Sequence, residues 1–96
     1  MIDVEATFEK YEDEFLKFDR VQNKLHSRRD ICAFLLIDKL LPRAGMDMVC
    51  AAEHDEIYLD ADVEKLAEVA TEEDILTLVR CGVHFESSTD SLAMFA

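Results

Sequence analysis

The sequence predicts an α+β fold, in which two N-terminal helices are followed by the order ββααββ. Apolar residues recur every three or four positions in the first 25 residues, which is the period of a helix. Two later segments place β-branched and aromatic residues on either side of a polar turn, as β-hairpins do. Helix-capping residues lie between those two segments. We therefore expect an N-terminal αα-hairpin and helices that cover one face of a small antiparallel sheet.

The first segment carries a stripe of four aromatic rings that we call the aromatic seam: Phe8, Tyr11, Phe15 and Phe18. The spacing predicts one helix from Val4 to Leu25, capped by Asp3. Such a helix would be about 33 Å long, longer than a small domain is usually wide, so the seam needs a partner. Two partners remain open, the rest of the same fold or another copy of the chain. If the seam contacts another copy of the chain, we expect Phe8 and Tyr11 to be exposed for that contact and Phe18 to lie inside the fold.

The second helix is predicted from a serine cap at Ser27 and an acid three residues later, Asp30. Residues 31–41 follow with only two polar side chains, so we expect this helix to be almost entirely buried. Pro42 and Gly45 then end it. The first two helices form a hairpin.

Two β-hairpins are predicted in the rest of the chain. The first covers residues 46–59, with its turn near His54. The second covers residues 83–95, with a polar turn over residues 87–90.

Two short helices are predicted between the hairpins. Asp62 is placed to cap the first, and Thr71 with Asp74 resembles the capping box of the second. Gly82 then stands where the end of a helix favours a left-handed backbone.

The composition indicates one globular domain over residues 1–96, since half of the residues are apolar and a third are charged. The first 25 residues are acidic where a secretory leader needs an apolar core. The longest apolar run, residues 31–37, is far shorter than the roughly 20 residues of a membrane span. We therefore expect a cytoplasmic protein with free thiols at Cys32, Cys50 and Cys81.

Charge is distributed unevenly along the chain. Residues 47–96 carry thirteen acidic and two basic side chains, a net charge of −11. Residues 20–43, which we call the basic run, carry six basic and two acidic side chains, a net of +4. In a chain of net charge −12, this field repels nucleic acid and anionic membranes and attracts basic protein surfaces. We therefore expect no direct nucleic-acid or membrane partner, and expect the basic run to pair with acids of the same fold or of a neighbouring subunit.

Four residues have the chemistry of tetrahedral zinc ligands: Cys50, His54, Cys81 and His84. Neither Cys–His pair has the spacing of a zinc knuckle, and the two pairs fall in different hairpins. We favour instead two buried thiols and two imidazoles that face solvent, and we expect no metal.

Two acidic runs also resemble functional sites. Asp60, Asp62 and Glu64 are spaced like the start of a calcium loop, but Lys65 stands where that loop needs glycine. The run Glu53, His54, Asp55 and Glu56 offers a general acid and base, but the chain has two glycines and no phosphate-cradling loop. We favour a solvated turn there, and predict neither a cofactor nor enzyme activity.

The C-terminal half, from His54 to Phe95, resembles short proteins encoded by tailed phages and prophages. The phrases that carry the resemblance are EIYLDADVEKLAEVATEEDILTLVRCGVHF and LAMF. The resemblance implies a small accessory protein that acts in the host cytoplasm by binding host machinery. Some such proteins are small, acidic inhibitors that imitate nucleic acid.

The function we predict is that of a non-enzymatic protein–protein interaction module, whose acidic surface binds or inhibits a basic host partner. The contacts we expect are acids in turns and at helix starts: Glu53, Asp55, Glu56, Asp60, Glu72 and Glu73. Ordinary solubility charge is the alternative interpretation of these acids. The alternative function is structural, a self-assembling protein that forms oligomers through the aromatic seam.

Overall fold

The computed structural model describes residues 1–42 and 47–95. Its helices are α1 (Val4–Lys10), α2 (Arg29–Leu40), α3 (Val63–Val69) and α4 (Glu72–Arg80). Its strands are β1 (Val49–Glu53), β2 (Glu56–Leu59), β3 (Val83–Glu86) and β4 (Ser91–Phe95). Two 3-10 turns, Glu12–Glu14 and Phe18–Arg20, follow α1. These helices and the antiparallel sheet of four strands confirm the predicted α+β class.

The sheet joins the two predicted hairpins in the order β1-β2-β4-β3, so β3 lies at one edge. The register aligns two apolar rows across β2, β4 and β3: Leu59, Leu92 and Phe85, and Ile57, Met94 and Val83. Because side chains alternate between the faces of a strand, both rows lie on one face. Leu66 of α3, Ile75 of α4 and Ile37 of α2 are buried in the same core cluster as these rows. The helices therefore cover that face.

The opposite face of the sheet carries polar and aromatic side chains, among them Glu56, Tyr58 and His84. Ala93 lies between Tyr58 and His84 in the register and is fully buried. Its methyl group is small enough for the longer side chains of β2 and β3 to meet above β4.

The predicted single helix from Val4 to Leu25 is wrong. α1 ends after seven residues, and the chain then bends, with a positive φ of 65° at Leu16. The molecule measures 28 × 28 × 24 Å, so a straight helix of about 33 Å would extend beyond it. The bent path keeps Phe15 and Phe18 against the core, and the Leu16 N–H donates to the Val79 carbonyl at 3.2 Å.

α2 lies where the sequence predicts it but differs in its start and its burial. Arg28, not Ser27, occupies the N-cap position, and residues 11–28 join the helix to α1 in place of a short turn. The helix ends before Pro42, as predicted, and Gly45 lies outside the described residues. Leu35 is 43% exposed, so the helix buries only one side. Neither α2 nor any other described helix is long and apolar enough to cross a membrane.

The caps and turns predicted in the C-terminal half are confirmed. The Asp62 carboxylate accepts hydrogen bonds from the first backbone N–H groups of α3. Thr71 and Asp74 form a reciprocal capping box at the start of α4. Gly82 has a φ of 98°, and His54 has a φ of 56° in the turn between β1 and β2.

Candidate functional site

The structure distributes the six acids predicted to bind a partner over several elements. Glu53 and Asp55 lie on the β1–β2 hairpin and Glu73 lies in the first turn of α4, all three exposed. Asp60, just after β2, is half-buried. The remaining two, Glu56 and Glu72, are engaged by other side chains, so they present less free charge than we expected.

Glu72 joins α4 to the end of α1. Its Oε1 accepts hydrogen bonds from Lys10 Nζ at 2.7 Å and from the Tyr11 hydroxyl at 2.9 Å. Lys10 lowers the pKa of Glu72, and Glu72 in turn raises the pKa of Lys10. Both side chains are at least half exposed, so the pair adds little stability. It does direct the one basic side chain of α1 towards α4.

The aromatic seam packs against the chain's own core. Phe8 is only 6% exposed and lies 6.3 Å from the Phe85 ring, so the expectation that Phe8 is exposed for another copy is wrong. Tyr11, Phe15 and Phe18 are half-buried against the same core, so Tyr11 is less exposed and Phe18 less buried than we expected. Because α1 is short, the rings follow the bend of the chain. The self-association predicted for this seam therefore has less ring surface to use.

Glu14 forms salt bridges with two arginines. Its Oε1 accepts from the Arg80 guanidinium at 2.8 and 3.0 Å, and its Oε2 accepts from Arg20 at 2.7 Å. The hydrogen bond from Arg80 is the main reason that the pKa of Glu14 is lowered. Arg20, in the basic run, thus pairs with an acid of the same fold, as expected.

The other described basic residues of the run are exposed and do not bond to Glu14. Lys24 lies over the Phe18 ring, with its Nζ 5.1 Å from the ring centroid. Arg28, Arg29 and Lys39 are exposed on or beside α2. The sixth basic residue, Arg43, lies outside the described residues.

A cleft of 560 Å³ opens between the N-terminal segment and β3, and we call it the acidic cleft. Its acids come from α1 and the 3-10 turn after it: Glu5, Glu9, Glu12 and Asp13. Its aromatic lining comes from both ends of the chain: Phe8, Phe15, Phe85 and Phe95. Among the described residues that line it, none is lysine or arginine. Sequence analysis missed this site, although the spacing of Glu5 and Glu9, one helical turn apart, gave a local signal.

His84 stands at the boundary between the cleft and the outer face of the sheet. Its Nε2 lies 2.7 Å from Oε2 of Glu56, and its ring stacks on Phe95 with 4.6 Å between centroids. The Phe15 ring approaches edge-on at 6.2 Å. The Glu56 carboxylate raises the pKa of Tyr58 to about 12, while Tyr58 and His84 lower the pKa of Glu56. The imidazole predicted to face solvent is therefore held between a carboxylate and two rings.

One group among the described residues has converging metal-ligand atoms, Glu56, His84 and Glu86, all within 4.8 Å of one another. A ligating imidazole normally donates its second ring N–H to a hydrogen-bond partner. Nδ1 of His84 is buried and has no such partner among the described residues. A metal on Nε2 would leave that N–H unsatisfied. We therefore interpret these residues as a hydrogen-bonded cluster.

The predicted zinc candidates are not brought together as a ligand set. Cys50 is exposed on β1, which corrects the expectation of a buried thiol, and His54 is exposed in the turn after β1. Cys81 is buried next to Cys32, and its pKa is raised to about 12, mainly by burial. His84 bonds to Glu56 instead.

The other two candidate sites have local structural roles. In the calcium-like run, Asp62 caps α3 with its carboxylate. In the acid–base run, residues 53–55 form an exposed strand end and turn, and Glu56 faces His84. These contacts account for Asp62 and Glu56 without ligand chemistry.

Comparison with known proteins gives no relative. No protein-family model matches the chain, no curated protein matches it, and no solved structure matches its fold. The resemblance to phage accessory proteins therefore stays a prediction from the sequence.

Proposed function

We propose that this protein is a non-enzymatic interaction module that binds a basic surface on a protein partner. The observation that carries the proposal is the acidic cleft, four carboxylates around an aromatic lining with no lysine or arginine among the described lining residues. Exposed charge of one sign steers an oppositely charged partner and fixes its register. Apolar rings beside that charge provide the surface whose burial contributes most of the affinity.

The internal ion pairs support the same proposal. Arg20 and Arg80 are bound to Glu14, and Lys10 is bound to Glu72. Each of these cations is thus directed to an acid outside the described lining of the cleft, although Arg20 and Arg80 share one carboxylate and keep one positive charge in excess. In line with the resemblance to phage accessory proteins, we propose that the partner is a host protein whose basic surface normally contacts nucleic acid.

The experiment is capture of host proteins on the immobilised chain, followed by affinity measurement on the purified partner between about 0.05 and 0.5 M salt. We expect affinity to fall steeply with salt, because the Debye length shrinks below about 10 Å over that range. Affinity that is flat with salt would indicate an apolar interface and would overturn the proposal.

The alternative is self-assembly through the aromatic seam. Phe8 was expected to contact another copy of the chain, but it is buried in the chain's own core. Light scattering at high and low protein concentration tests it directly. A mass that stays at one chain at every concentration would exclude the alternative, and a dimer that dissociates in Tyr11→Glu would revive it.

A further inference from the structure

The acids of the cleft repel one another and have no lysine or arginine beside them in the described lining. Glu5 and Glu9 are one helical turn apart, and Glu12 and Asp13 continue the same series. Like charges at this spacing destabilise a helix slightly. The nearest basic side chain in sequence, Lys10, bonds to Glu72 on α4 instead. A bound cation would relieve this repulsion.

The lining of the cleft adds a preference among cations. Phe95, which is 56% exposed, stacks on His84 at the rim, and Phe85 is half-buried, whereas Phe8 is buried with its ring 6.3 Å from that of Phe85. Aromatic faces attract cations, and arginine is the more frequent partner. Its planar guanidinium stacks on rings, is weakly hydrated, and bonds to carboxylates with two parallel N–H groups. Lysine offers a strongly hydrated point charge instead.

The position of the cleft indicates how the cation is presented. Val83 and His84 point to opposite faces of β3, yet both line the same cleft, so the cleft follows the edge of β3 that pairs with no other described strand; Val83 is buried there and the rest of the strand is half-buried. An edge strand has unpaired backbone groups along its outer side. An extended segment can pair with such an edge while its side chains enter pockets beside it.

We propose that the acidic cleft binds an arginine side chain from an extended basic segment of the partner protein, whose main chain lies along the edge of β3. This inference rests on the proposed function and narrows it to one site and one side chain. The guanidinium bonds to the carboxylates of α1 and its plane stacks against the rings of the lining.

The test uses the full chain and a blocked nonapeptide with three arginines separated by glycine and serine. Matched peptides carry lysine or the neutral isostere citrulline at the same positions. Binding is measured by calorimetry and by backbone amide NMR shifts at about 0.05 M salt. The variant Glu9→Gln/Glu12→Gln removes two charges from the cleft. Its control, Glu64→Gln/Glu68→Gln, removes two exposed charges from α3.

We expect the arginine peptide to shift amides of α1 and β3, and the cleft variant to lose about tenfold in affinity, equivalent to roughly 1.4 kcal/mol. The control variant should change by about twofold or less, and the citrulline peptide should not bind. Equal losses of affinity in both variants, or amide shifts confined to other surfaces, would show that the cleft is not the binding site. The proposed function of the acidic surface would then still stand. Equal affinity for lysine and arginine peptides would overturn the choice of side chain. Absence of binding by both basic peptides would overturn this inference, while the proposed function would still be decided by the salt dependence of binding to the captured partner.

Discussion

At the scale of single residues, Gly82 connects the C-terminal half to the bend in the N-terminal segment. Its φ of 98° is a conformation that residues with a side chain rarely adopt. A Cβ placed there would lie 2.8 Å from Cδ2 of Leu16. One position thus has two independent reasons to be glycine.

We predict that Gly82→Ala lowers the free energy of unfolding by at least about 1–2 kcal/mol, the usual cost of left-handed backbone for an L-residue. Urea denaturation measures it. The double variant Gly82→Ala/Leu16→Ala lacks the close approach between the two side chains. Its loss of stability relative to Leu16→Ala alone therefore measures the cost of the backbone conformation. An unchanged unfolding midpoint in Gly82→Ala would contradict the geometry.

Glu14 gives a prediction about pH. Because Arg80 lowers its folded pKa, the carboxylate stabilises the fold above the ordinary glutamate pKa of about 4.3, and this contribution is lost as the pH falls through the lower folded value. Glu14→Gln should therefore reduce stability at pH 7, and its difference from the wild type should shrink in acid. Thermal melts from pH 7 to pH 3 test this, with Glu64→Gln as the exposed control. A difference that grows in acid would contradict the assignment.

At the scale of elements, the N-terminal segment is held to the fold by unequal anchors. Phe8 is buried, whereas Phe15 is half-buried at the cleft. We predict that Phe8→Ala costs about 3–5 kcal/mol and that Phe15→Ala costs roughly half of that or less, because less apolar area is lost. Urea denaturation of both variants compares them. Equal and small losses would mean that α1 contributes little to the stability of the fold.

Local signals explain which elements could be predicted from the sequence. The cap at Asp62 and the capping box of Thr71 and Asp74 involve atoms within three residues of one another, so the sequence alone specifies them. The path of the chain after α1 is different. Its bend at Leu16 is held by a backbone hydrogen bond to Val79, which lies far along the chain. A stripe of rings at helical spacing carries no information about that distant acceptor.

The acidic cleft could not be predicted for the same reason. Its acids belong to α1 and the turn after it, whereas part of its aromatic lining, including Phe85 and Phe95, lies on strands at the other end of the chain. Sequence analysis placed the functional charge in the C-terminal half, where the excess of acids is largest. Only the packing of α1 beside β3 brings the N-terminal acids to that half.

At the scale of the whole molecule, salt decides how much of the body each exposed charge can influence. The molecule spans 28 Å in its longest direction, nearly three Debye lengths at 0.1 M salt, so exposed charges on opposite sides of it are largely screened from each other. A nucleic acid that approaches this chain meets a net charge of −12, and Arg28 and Arg29 offer few phosphate contacts against that balance.

We predict that the protein does not bind duplex DNA at physiological salt, even at micromolar concentration. Gel shift of a labelled duplex tests this, and Arg28→Ala/Arg29→Ala provides the comparison. A clear shift in the wild type that disappears in the variant and weakens with salt would show that these arginines form a nucleic-acid contact.

Because Cys81 is buried, the rate at which it is chemically labelled reports how often the interior of the fold opens. Burial raises the pKa of Cys81 to about 12, so far less of it is the reactive thiolate than in an exposed cysteine. Cys32 is buried beside it, while Cys50 is exposed on β1. An alkylating reagent should therefore modify the native chain once and quickly. Modification of Cys32 and Cys81 would proceed only as fast as α2 and α4 separate. The increase with time in the mass of the labelled chain therefore measures the rate at which the interior opens.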